Sequence, residues 1–138
     1  EYTLVCVTSR ETLTEVVQEL KFLHIDRLFK HVVTRDVAAK HFGLASLPFL
    51  PFHGQRRKLY RCALEMVRCS PKNAVVIGDM ASELEPAKSL GMTTIGLITH
   101  KAREKELRET ADFLISKITE LHTVLLEIHK SQLSCRTS

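Results

Sequence analysis

The chain has 138 residues and 15.7 kDa, 44% hydrophobic and 26% charged, the size and balance of one globular domain rather than two. No run approaches the roughly 18 apolar residues of a membrane span, and the start lacks the basic-then-apolar layout of a signal peptide. A soluble, cytoplasmic protein without membrane contact is expected.

The net charge is +4, yet residues 30 to 72 hold nine basic and two acidic side chains, a local balance of +7. Such a field attracts phosphate-bearing ligands without choosing between small metabolites and nucleic acid. Four cysteines (Cys6, Cys62, Cys69, Cys135) contain no C-x-x-C pair, so reduced thiols are expected. Seven histidines are scattered without H-x-x-x-H spacing, so no histidine-based metal site is expected. The sequence opens at Glu1 and enters a strand pattern almost at once, which points to residues upstream.

Thr3 to Val7 (TLVCV) is a continuous apolar run rich in β-branched residues, the pattern of a parallel strand buried on both faces, ending at Thr8-Ser9. From Glu11, Leu13, Val16, Val17, Leu20 and Leu23 recur at helical spacing, with Thr12 and Glu15 spaced as a capping box. Phe29 to Thr34 is a second strand. The stretch 42 to 55 carries Gly43, Pro48, Pro51 and Gly54 and reads as a loop. Its Phe42, Phe49 and Phe52 argue against disorder; they suit core packing first, and shielding of a site or a partner contact second.

Leu59, Ala63, Met66 and Val67 share one face of a helix that begins near Arg56 and ends before Ser70-Pro71, with Arg57, Arg61 and Arg68 opposite. Ala74 to Ile77 is a third strand, running into Gly78-Asp79. Ser82, paired with Glu85 as a capping box and with Pro86 in the first turn, opens a helix that closes at Gly91. Thr93 to Ile98 is a fourth strand, 101 to 109 a solvated helix, Phe113 to Ile115 a short edge strand, and Ile118 to His129 an amphipathic helix. Residues 131 to 138 are expected to fray. Strand and helix alternate throughout, giving a single domain over 1 to 130 of Rossmann-like, three-layer α/β/α architecture with a mostly parallel sheet. Ligands in such folds sit at the carboxyl ends of strands, here Thr8-Ser9, Thr34-Arg35, Gly78-Asp79 and Thr99-His100.

The segment VVIGDMASELEPAKSLGM (75 to 92) is the most informative. Asp79 follows a strand and Glu83 opens the next helix, so two hard carboxylate donors converge above one strand end, a set that suits Mg2+. Taken alone, Glu83 reads equally well as an acid stabilised by the helix dipole. Apolar strand, Gly-Asp, three residues, an acid, then an A-K-x-x-G-M helix end resembles the fourth motif of the haloacid dehalogenase (HAD) superfamily. On that resemblance, TLVCVTS is similar to the second motif, which implies that Thr8 hydrogen-bonds the transferring phosphoryl oxygen with Ser9 beside it. The third motif, a Lys or Arg that balances phosphate charge, falls in His53-Gly54-Gln55-Arg56-Arg57-Lys58. The common G-K-P form would put its Lys at Gly54, so the sequence departs from it. Lys58 fits on residue type and Arg56 on register, and a solvated basic face fits either.

The superfamily's first motif, a strand ending in D-x-D, is absent. Its first Asp is the family's nucleophile and its second the general acid and base. Three explanations remain open: the nucleophile strand lies upstream, the protein is a pseudoenzyme, or TLVCVTS itself takes the first-strand position, the last being least consistent with the strand order. The resemblance implies a Mg2+-dependent phosphatase acting on a small phosphorylated metabolite, a phosphomonoester, with Asp79 and Glu83 at the metal. The competing reading is a catalytically inactive module that binds a phosphorylated ligand or a protein partner. Few stacking residues, with no Trp and two Tyr, weigh against nucleic acid. A sheet lacking a central strand would expose backbone groups, so a homodimer or a bound upstream segment is expected.

Overall fold

The computed structural model describes residues 2–48, 50 and 52–136. The elements in order are β1 (Val5–Val7), α1 (Leu13–Phe22), β2 (His31–Val33), α2 (Arg35–His41), α3 (Phe52–Val67), β3 (Val75–Gly78), α4 (Ala81–Ser89), β4 (Thr93–Leu97), α5 (Glu104–Thr110), β5 (Phe113–Ile115) and α6 (Leu121–Arg136). The alternation read from the sequence is therefore present, and every strand pair is parallel.

The strands do not form one sheet. β1 pairs with β2, and β3, β4 and β5 form a second sheet in that order. β1 and β3 are consequently both edge strands, and they are only half buried although their sequences are apolar. Ile77 of β3 remains 40% exposed, and all three β1 residues are intermediate. The expectation that TLVCV is buried on both faces is thus corrected: a strand paired on one side only leaves its other edge and part of each face open. β4, paired on both sides, has Thr94, Ile95 and Gly96 buried.

Helices cover both faces of the larger sheet. Side chains alternate along a strand, and Ile95 packs with Ile115 and with Ile128 of α6, whereas Gly96 faces α5. A Cβ at Gly96 would stand 2.9 Å from Leu114 Cδ2 and 3.3 Å from Leu107 Cδ2. α3 joins the two sheets: Leu59, Cys62 and Ala63 pack with Val33 and Ala39, and Tyr60 and Leu64 pack with Ala87 and Met92 of the other half. Val7 touches both groups.

Several local expectations change. Thr12 does not cap α1; its hydroxyl is buried without a partner among the described residues. The cap comes from Asp36 of α2, whose carboxylate accepts from the Leu13 amide at 3.1 Å, so a tertiary contact replaces the local box. Desolvation opposes that charge, but bonds from Thr34, Leu13 and Val37 outweigh it and hold the Asp36 carboxyl below the ordinary carboxylate range. Helix α4 begins one residue before Ser82, with Met80 at its N-cap and no side-chain cap, and Pro86 lies inside it rather than in its first turn. Its end is as read. Gly91 has φ +89°, its amide donates to the Lys88 carbonyl and the Met92 amide to Ala87, the paired bonds that close a helix on a left-handed glycine. α3 starts at Phe52, earlier than Arg56, and α6 continues to Arg136 where a frayed tail from 131 was expected. Phe42 packs against the core; Phe49, the Phe52 side chain, Glu1, Thr137 and Ser138 lie outside the described residues.

Candidate functional site

β3 delivers its chain to Gly78-Asp79, and the turn that follows starts α4 with Glu83 in its first turn. Glu83 folds back over the strand end. Its Oε2 accepts from the Asp79 amide at 3.3 Å, and a Cβ built on Gly78 would lie 2.7 Å from the same oxygen. Glycine at 78 is therefore needed because a carboxylate occupies the space a side chain would take.

The other Glu83 oxygen, Oε1, is 3.6 Å from Arg56 of α3, whose side chain is 6% exposed. One turn along α3, Tyr60 is 4% exposed and donates its hydroxyl to the Glu83 backbone carbonyl at 2.9 Å. Burial, partly offset by Arg56 and reinforced by Glu83, pushes the Tyr60 phenol up to about 12, so it remains a donor at neutral pH. Arg56 and Tyr60, four residues apart, share one helix face and hold the start of α4 from both its side chain and its backbone.

Asp79 is engaged from the opposite side. Its Oδ2 accepts from the Thr99 hydroxyl at 3.0 Å and from Arg103 at 3.2 Å. Both come from the loop after β4, which lies next to β3 with Gly96 opposite Gly78. Two carboxylates and two guanidiniums thus alternate across the strand end, Arg56 on Glu83 and Arg103 on Asp79.

Asp79 and Glu83, the proposed metal residues, are brought together with Arg56. Lys58 is half-buried, and among the described residues no ion pair joins it to either acid; register rather than residue type places a cation at the site. Thr8 and Ser9 stand at the carboxyl end of β1, in the other sheet. The Thr8 hydroxyl accepts from the Arg10 amide at 3.3 Å, which uses a lone pair and leaves its own proton to donate. Tyr60 and Arg103 were not singled out by sequence reasoning. Tyr60 carried a signal in its place four residues after Arg56, while Arg103 lay in a run of charges that reads as solvated.

Among the described residues no group of three or more His, Cys, Asp or Glu side chains gathers as a metal cage. Two hard carboxylates with water and a phosphate are nonetheless a sufficient donor set for Mg2+, and Asp79 is partly exposed, its side chain at 37%.

The chain is similar to known proteins in sequence and in fold. The HAD-hydrolase-like family model matches residues 56–121, which hold Arg56, Asp79, Glu83 and Arg103. The chain is 27% identical over 114 residues to glyceraldehyde 3-phosphate phosphatase of Methanocaldococcus jannaschii, covering 82% of this chain and 45% of that protein. It superposes on a HAD phosphatase from Thermococcus onnurineus with a TM-score of 0.71 at 26% identity, over 90% of this chain and 50% of the other. A haloacid dehalogenase-like hydrolase from Streptococcus pneumoniae gives the same TM-score at 18% identity, over 90% and 52%, a likeness of fold alone. The chain therefore spans about half the length of the relatives it matches.

Proposed function

The chain is HAD-like in its fold and in the segment that carries Asp79 and Glu83, and from that premise we propose that it is the magnesium- and phosphate-binding part of a phosphatase acting on a small phosphomonoester. The observation that carries this reading is the meeting of Asp79, Glu83 and buried Arg56 at the carboxyl end of β3. The nucleophile comes from a strand outside these 138 residues. Its support is the division of the sheet: among the described residues β1 and β3 each lack a partner on one edge, and α3 packs against both halves, so one more parallel strand would complete the ladder.

In that arrangement Asp79, with Glu83 behind it, would hold Mg2+, which when bound would supply charge stabilisation to the phosphoryl oxygens. Thr8 donates its free hydroxyl proton to a phosphoryl oxygen. Arg56 carries out the third-motif task by fixing Glu83 and adding positive charge beneath the transferring group. Burial makes that charge stronger than a surface one, because water screens it little.

The test is a substitution series in the protein extended upstream through its natural coding sequence, with p-nitrophenyl phosphate as substrate. Asp79→Asn, which removes the charge of the cation ligand, should lower kcat/KM about 1000-fold, and Arg56→Met about 100-fold, in the range seen for a lost transition-state donor. Lys58→Met should change it less than about threefold, as for a surface charge. A larger loss with Lys58→Met than with Arg56→Met would reverse the assignment, and activity that survives Asp79→Asn would refute the reading.

A further inference from the structure

Arg103 is the one member of the four-charge cluster that the proposed reaction does not use. It ends a short turn, Lys101–Arg103, and precedes α5. Its backbone amide donates to the His100 carbonyl at 3.0 Å, which closes that turn. The side chain itself is 41% exposed, against 6% for Arg56, so Arg103 is free to swing where Arg56 is not. Glu104, the acid next to it in sequence, is engaged by Arg108 at 2.8 Å. The acid that Arg103 pairs with is Asp79, and on Asp79 it shares Oδ2 with the Thr99 hydroxyl.

We propose that Arg103 is a built-in counter-ion of Asp79 that competes with the divalent cation for this carboxylate, so that cation binding requires the guanidinium to leave Oδ2. The inference rests on the reading of Asp79 as a cation ligand. The physics is simple competition: a dication on either Asp79 oxygen meets a positive charge already hydrogen-bonded to the same carboxylate, and must displace it or bind against its repulsion. Exposure lets the displaced side chain be resolvated at small cost. The arrangement keeps Asp79 neutralised while no cation is bound and sets the cation affinity lower than the two carboxylates alone would give.

The experiment titrates the protein with Mn2+ alone, read by water-proton relaxation at low ionic strength, which requires no activity. Arg103→Gln should bind Mn2+ about fivefold more tightly than wild type, the size of one partly exposed ion pair. Arg103→Lys, which keeps the charge, should stay near wild type, and about 0.5 M KCl should shrink the difference by screening. Asp79→Asn and Asp79→Asn/Arg103→Gln should both lose the site. If Arg103→Gln binds no tighter than wild type while Asp79→Asn abolishes binding, the counter-ion role is overturned and the cation reading stands. Equal tightening in the Asp79→Asn background would place the competition elsewhere and also overturn it. Absence of Mn2+ binding in both wild type and Arg103→Gln would remove the cation reading and this inference together.

Discussion

Replacing Gly78 by Ala tests whether Glu83 really occupies the strand end. The added methyl would lie 2.7 Å from Glu83 Oε2, 3.2 Å from Leu84 Cδ2 and 3.3 Å from Glu83 Cβ, well inside normal van der Waals separation. The carboxylate is the flexible member, so it turns away, and two contacts go with it: the 3.3 Å bond from the Asp79 amide and the 3.6 Å approach of Arg56. Leu84 is fully buried and has little room to yield. A lost hydrogen bond of about 1 kcal/mol and overpacking of about 1 kcal/mol give a destabilisation of about 2 kcal/mol, or a Tm lower by about 8 °C in a domain of this size. Urea unfolding followed by circular dichroism measures the first quantity, and Mn2+ titration reads the site, where affinity should fall because Glu83 has moved. Gly96→Ala is the matched control. Its methyl meets Leu114, Ala111 and Leu107 rather than a site residue, so it should cost a similar free energy, about 1–3 kcal/mol, and leave Mn2+ affinity unchanged. A Gly78→Ala protein as stable as wild type, or one that loses stability but binds Mn2+ normally, would refute the argument.

Two further outcomes follow from buried or bonded side chains. Asp112 accepts from the Thr94 amide at 2.9 Å and the Thr94 hydroxyl at 3.0 Å and pairs with Lys88 at 3.1 Å. Desolvation opposes its charge, but these bonds win and hold its carboxyl below the ordinary range. Its stabilisation is therefore complete above the unfolded-state value and is lost as pH falls through the folded one, in the window below about pH 4. Asp112→Ala should cost about 1–2 kcal/mol at neutral pH and flatten acid unfolding in that window; an unchanged acid limb would contradict this. Among the thiols, Cys135 is exposed, whereas Cys62 is buried and pushed up to about 11 by burial and by Glu65. Reaction with an aromatic disulfide at pH 8 should label Cys135 first and Cys62 only on unfolding; early labelling of Cys62 would show that α3 opens readily.

The parts legible in the sequence were those that local chemistry determines. The run from Ala74 to Asp79, the acid at Glu83 and the glycine at 91 announce a strand, a carboxylate pair and a helix end because each depends on residue type at a fixed spacing. The pairing of Asp79 with Arg103 depends instead on β4 lying beside β3, a long-range fact that no window of sequence contains. The same holds for Asp36 capping α1: Thr12 and Glu15 satisfy the local pattern, but a carboxylate brought in by α2 takes the cap. Helix α2 itself is seven residues long, too short for apolar periodicity to stand out. For the third-motif cation, residue type pointed to Lys58 and register to Arg56; in the fold Arg56 is buried beside Glu83 and Lys58 is half-buried, a difference of helix register that residue type does not carry. A sheet short of a central strand was expected from the absent D-x-D motif; which strands pair on either side of the break, β1 with β2 and β3 with β4, is a property of the assembled fold.

The most direct test of the account is phosphate release from p-nitrophenyl phosphate by the protein extended upstream through its natural coding sequence, measured with Mg2+ and again with the ion chelated. The account predicts an upstream strand ending in D-x-D, release that requires Mg2+, and its loss in Asp79→Asn. Release that is indifferent to chelation and to Asp79→Asn, or a coding sequence without that strand and no release at all, would contradict it.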